Sequence, residues 1–283
     1  MNVPIHLLMG ARRLIYFLLA SMPVTFTASV GIGTRMNPLD WTTPEFGPEM
    51  CQSIAAYIPL LRETLERAPA RSKPDPIACE AMANKWIAAK LPELSPGNMP
   101  VSGLEGPFYD IQRVRQNLCN NLIRLAHEDV KAGDVKSAAH RTALVLRVCE
   151  VAKYSSVNSI SMATESQRES FKLVSQIQDK VDGATRKGLE SAVRQVSIDP
   201  NRTVEAAKHL LAATKTLYST SKSLKRYASN DMVPIGLSKR PSLADTSSMT
   251  TEELTVAGLA ESAVSMCRNL GDFKATLLKS LVL

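Results

Sequence analysis

Aromatic side chains are scarce here: Phe, Tyr and Trp together make up 5% of 283 residues. Leu, Ala, Met, Lys, Glu and Gln carry the composition instead, a balance that favours helices. Ready-made chemical motifs are missing too. The chain has no H-E-x-x-H, no C-x-x-C and no G-x-S-x-G, which removes the familiar zinc-protease, redox-pair and nucleophile-elbow arrangements. Gly31 and Gly33 come nearest to a phosphate-cradling loop, but they follow an apolar segment rather than a strand, so no nucleotide or other cofactor is expected. Catalytic groups gathered from distant segments leave no such trace. The balance of motifs leans to a noncatalytic protein.

Charge of one sign does not dominate: 34 Lys and Arg against 27 Asp and Glu leave a formal +7. A surplus of that size, spread along the chain, says little about a polyanionic partner. The five cysteines, Cys51, Cys79, Cys119, Cys149 and Cys267, are odd in number and irregular in spacing. Cys119 and Cys149 sit in apolar-periodic segments, where a cysteine ordinarily serves as a small buried side chain. In an oxidising compartment one or two disulfides become allowed, and the spacing does not pair them.

What is present begins at the N-terminus. Arg12-Arg13, the apolar Leu14-Ile15-Tyr16-Phe17-Leu18-Leu19-Ala20, and small residues through Thr27-Ala28-Ser29 follow the order of an export signal. The apolar run is short for a membrane span, and Pro23 weakens its second half. Residues 1–33 are therefore read as a signal peptide or an uncleaved membrane anchor, placing the protein in the periplasm or cell envelope. Residues 34–48 form a Pro-rich tether.

The remainder reads as all-α, an antiparallel helical bundle or a short array of helical hairpins. Residues 49–228 form the main helical domain, 229–249 a flexible linker, and 250–283 a C-terminal helix. A first helix is predicted over Glu49 to Arg67, kinked at Pro59, and a second over Pro76 to Lys90. The centre is Pro107 to Tyr154, two apolar-periodic arms around Ala132-Gly133-Asp134. Ile111, Val114, Leu118, Leu122 and Leu125 share one face of the first arm. Further helices are predicted over Val157 to Val181, Thr185 to Val196 and from Asp199-Pro200 to Tyr227. Thr250 and Glu253 form a capping box for the last.

Around the central turn, Leu122, Leu125, Ala126, Gly133, Asp134, Ala138 and Leu146 fall where a tetratricopeptide repeat places its large, small and turn residues. The hairpin resembles one such repeat, with Asp129 and Thr142 at positions that usually carry aromatics, Glu150 for the closing proline, and no second copy at a regular period. The order of export signal, helical pairs and A-G-D turn looks like that of exported helical proteins of planctomycete-type bacteria. The likeness implies no known activity.

Three constellations stand out as candidate sites. His127 and His140 flank Gly133 at similar distances, so an antiparallel hairpin brings them to one level beside Glu128 and Asp129, a candidate divalent-metal site if they face each other. Solvated polar residues around a turn are the plainer explanation. Lys208, Lys215 and Lys222 repeat every seventh residue and continue into Lys225 and Arg226, a candidate stripe for anionic membrane surfaces. They lie almost opposite Leu210, Leu217 and Leu224, where a solvated face belongs, and with no aromatics interleaved for base stacking nucleic acid is not expected. Leu259, Met266, Leu270, Phe273 and Leu277, with Ala263, make an apolar seam for a partner helix from the same chain or a second copy. These features together predict a noncatalytic interaction or scaffold protein of the cell envelope. Metal binding or catalysis by the histidine pair, and peripheral membrane binding, are the alternatives.

Overall fold

The computed structural model describes residues 52–53, 55–70, 73–92, 107–206, 208 and 251–282. The predicted signal or anchor segment (1–33), the tether (34–48) and the linker (229–249) lie outside them. Among the described residues every regular element is helical, which makes the protein all-α.

The fold is built on the hairpin of α3 (Pro107–Ala132) and α4 (Val135–Val148). Its turn follows from two residues. Gly133 adopts φ +81°, a left-handed conformation that costs glycine little. In that geometry the Gly133 N–H reaches the Val130 carbonyl at 3.2 Å and the Asp134 N–H reaches Asp129 at 2.9 Å. These are the two bonds of a Schellman motif, and they occupy carbonyls that the end of α3 would leave bare. Asp134 then starts the next helix, its carboxylate accepting the Ser137 N–H at 3.1 Å. The predicted face of α3 is in place, since Ile111, Val114, Leu118, Leu122 and Leu125 are all buried.

Two predicted boundaries move. The second arm does not continue to Tyr154: α4 stops at Val148, Ala152 turns left-handed at φ 53°, and a short 3-10 turn over Lys153–Ser155 follows. Ser156 caps the next helix through a 3.1 Å bond from the Ser159 N–H, so the serine-rich stretch reverses the chain. The first helix is interrupted just before Pro59: residues 52, 53 and 55 are helical, 56–57 form a turn, and α1 (Ile58–Arg67) follows with Pro59 in its first turn, where an absent N–H leaves no bond unmade. Beyond it, α2 (Pro76–Ala88) opens on Asp75, whose side chain accepts from the Ile77 and Ala78 N–H groups.

The hairpin is covered on both sides. On one, α1 and α2 close a cluster around Leu61, Met82, Trp86, Leu118 and Val145. Trp86, fully buried, donates its indole N–H to Thr64 Oγ1 at 2.9 Å. On the other lie α5 (Val157–Ile177), α6 (Gly183–Gln195) and α7 (Thr251–Val282). Consecutive helices α5 and α6 scarcely touch; each packs on α4, and α7 packs on both. Phe171, Val174, Leu189, Val193, Leu270 and Leu277 meet in that second cluster, and Phe171 meets Phe273 edge to face at 5.6 Å. A third, smaller cluster joins Tyr154, Ile160, Ala206, Ala263 and Cys267.

Candidate functional site

A cleft of about 570 Å³ runs between α3 and α5. Gln116, Asn120, Ile123 and His127 line it from α3, and Glu165 and Glu169 from α5. These α3 residues recur at steps of three and four, so they form one helical stripe beside the buried face. Gln116 holds the wall of the cleft together: its amide nitrogen donates to Asn120 at 3.1 Å and to Ser166 Oγ at 2.9 Å. Charges of both signs border the opening, and Glu169 is paired with Lys172 at 2.6 Å. Such a surface suits directional polar recognition better than enclosure of a small molecule.

Inside the fold most donors of the buried cations are committed to structure, although Arg115 Nε and Arg147 Nε have no hydrogen-bond partner. Lys153 is 1% exposed, and its ammonium donates to Glu150 Oε1 at 3.2 Å, to Gln167 Oε1 at 3.0 Å and to the Ser197 carbonyl. Three N–H bonds meet three acceptors, so no donor is left for a ligand. Gln167 in turn donates to Glu150 at 2.6 Å, while the Tyr154 hydroxyl lies 3.2 Å from the same Ser197 carbonyl. Arg115, also 1% exposed, donates to the Val151 carbonyl and to the Ser159 carbonyl and hydroxyl. It ties the strained Val151–Ser156 connection to α3. Burial pushes the Tyr57 phenol up to about 12, against the opposing charge of Arg115, and the hydroxyl donates to Pro92 O at 2.8 Å.

The histidine pair is divided between neighbours. His127 lines the α3–α5 cleft, whereas the His140 imidazole lies 3.9 Å from Glu80 on α2. Of the two acids beside the histidines, Asp129 accepts from Arg141, which also donates to Glu80 at 2.8 Å, and Glu128 lines the cleft with His127. This guanidinium links α2, α3 and α4. Among the described residues no three His, Cys, Asp or Glu side chains gather as a ligand set. Of the lysine stripe, Lys208 is exposed, and Lys215, Lys222, Lys225 and Arg226 lie outside the described residues. Of the C-terminal seam, Ala263, Leu270 and Leu277 are buried, and Met266 and Phe273 are partly so, all within this chain. The side chain of Leu259 lies outside the described residues. The 250–253 capping box does too.

Fold and site together define an all-α protein whose internal polar groups brace its turns and whose open cleft is polar. No family model, curated protein or solved structure matches the chain. No described helix is long and apolar enough to cross a membrane.

The buried cations were beyond sequence reasoning. Lys153 interrupts no apolar stripe, and only its burial separates it from solvated neighbours, whereas Arg115 falls on the buried face of α3, four residues after Ile111 and three before Leu118.

Proposed function

We propose that the protein is a noncatalytic helical scaffold of the cell envelope, exported or held at the membrane by its N-terminal segment, that recognises a protein partner along the α3–α5 cleft. The observation that carries this reading is the division of its polar groups. Buried cations such as Lys153 are bonded to carbonyls and to side chains of the fold, while Asn120, His127, Glu128, Lys131 and Glu165 bordering the cleft stand exposed around Ile123. Recognition through an apolar contact ringed by polar groups is the common anatomy of protein interfaces. The repeat-like hairpin at the centre is in keeping with it. Self-association through α7 takes a narrower form, because Leu270 and Leu277 are already covered by α5 and α6. A second copy would have to exchange α7 with the first.

The test places a photoreactive residue at exposed Asn120 in the cleft and, as control, at exposed Lys187 on α6. Irradiation of cells followed by mass spectrometry should give adducts to a discrete partner from position 120 and not from 187. Equal labelling from both sites removes the reading. Fractionation of the same cells should place the protein outside the cytoplasm.

A further inference from the structure

The Cys119 and Cys149 sulfurs stand 3.7 Å apart, both residues wholly buried, one in the middle of α3 and the other capping the end of α4. We propose that these two residues are a disulfide site, and that the bond, once made, is a clamp that fastens the open end of the central hairpin.

The geometry is close to that of a bond. A disulfide needs its sulfurs about 2.05 Å apart, so the gap closes with each sulfur moving about 0.8 Å. Cys119 is held in a long helix, but Cys149 is the C-cap just past the end of α4, at the start of the turns that lead through left-handed Ala152. The shift therefore falls on the more adaptable side. Cys267 is placed differently, with Thr203 at 3.5 Å and Thr164 at 3.8 Å as its sulfur neighbours, while Cys79, on α2, shares the first cluster with the pair. The two thiols are in hydrogen-bond contact, and either sulfur can be the donor.

The oxidant is a low-molecular-mass disulfide. One thiol of the pair loses its proton to solvent, and its thiolate attacks one of those sulfurs, forming a mixed disulfide and expelling one small thiolate, which takes up a proton. The other cysteine loses its proton to solvent, attacks the first cysteine's sulfur and expels the second small thiolate, which is protonated in turn. Two cysteine thiols are oxidised and one small disulfide is reduced to two thiols. Neither sulfur is accessible once α1 and α2 have closed the first cluster, so the exchange belongs to folding, when the local α3–α4 hairpin can form before its cover arrives. Burial afterwards shields the bond from reductant. The chemistry does not depend on export; an oxidising compartment would make the closed form the resident one.

The full chain, unfolded and reduced, is refolded in a buffer of oxidised and reduced glutathione and, in parallel, with dithiothreitol. Free thiols are alkylated in denaturant and the digest is mapped without reduction. The expected result is a Cys119–Cys149 linked peptide after oxidative refolding only, and a melting temperature higher by about 5–10 °C than that of the reduced protein. Cys119→Ser and Cys149→Ser should each abolish the link and the shift. Should either variant fail to fold, the map of the unaltered chain still decides. Alkylation of both residues after oxidative refolding, or either sulfur joined to another cysteine, overturns the site. The link without a rise in melting temperature overturns the clamp. Failure of the cleft to label a partner bears on neither outcome.

Discussion

A lysine inside a protein is tolerated only when each of its donors finds an acceptor, because desolvating the ammonium costs several kcal/mol. Lys153 meets that condition with Glu150, Gln167 and the Ser197 carbonyl, and so it holds the end of the hairpin, α5 and the segment after α6 in one register. Lys153→Met keeps much of the side-chain volume but strands the acceptors. We expect a loss of about 3 kcal/mol in urea unfolding. Adding Glu150→Leu should recover part of it, since removing both partners leaves less unsatisfied than removing one. A single variant within about 1 kcal/mol of the parent would show that the network contributes little.

At the scale of elements, two helices begin on aspartates whose carboxylates are held below the usual 3.8. For Asp134 the main cause is its hydrogen bonding with the Ser137 side chain, and for Asp182 it is the bond from the Thr185 N–H. A carboxyl depressed in the folded state lends stability that is present above its unfolded value and is lost as pH falls through the folded one. Urea unfolding should therefore show wild-type stability declining below about pH 4. Asp134→Asn with Asp182→Asn keeps both caps, because asparagine caps as well as aspartate, and removes this titration. Its decline over the same range should be shallower. Identical slopes would assign acid sensitivity to other groups.

The same elements show what the sequence made legible. Gly133-Asp134 could be read because a Schellman stop and an Asp cap are local devices, written within six residues of one another. Asp75-Pro76 and Asp182-Gly183 announce their helices in the same way. The break after Val148 left no comparable mark, since an alanine in the left-handed region, as at Ala152, has no sequence signature. Its conformation is imposed from a distance, by serine hydroxyls: Ser155 and Ser159 both donate to the Ala152 carbonyl at 2.8 Å. Pro59 was ambiguous for a different reason, because a proline fits the first turn of one helix as well as the kink of a longer one. In the candidate site, the histidines are visible in the sequence, but Arg141, which takes Glu80 and Asp129, acts across three helices and no local pattern records it.

For the molecule as a whole, α7 is the element most distant in sequence from the helices it joins. It carries Leu270, Leu277 and Leu281 into the second cluster, each no more than 3% exposed. At about 2 kcal/mol for each buried leucine, those three alone account for about 6 kcal/mol, comparable to the entire net stability of many domains. Lys274 adds a polar tie, donating to the Arg194 and Val196 carbonyls at 2.9 and 2.6 Å and so closing the C-terminal end of α6. Because α5 and α6 scarcely touch, no other described helix fills the space between them when α7 is absent. A chain ending at residue 250 should therefore bind a hydrophobic dye that the full chain does not, and melt at least 10 °C lower or without a cooperative transition, by about the scale that links lost stability to melting temperature. A peptide covering 251–282, added in trans, should suppress dye binding and restore cooperativity if the seam is specific. An unchanged melt in the truncated chain would mean that α4, α5 and α6 close on one another, and that the seam of α7 is free for a partner after all.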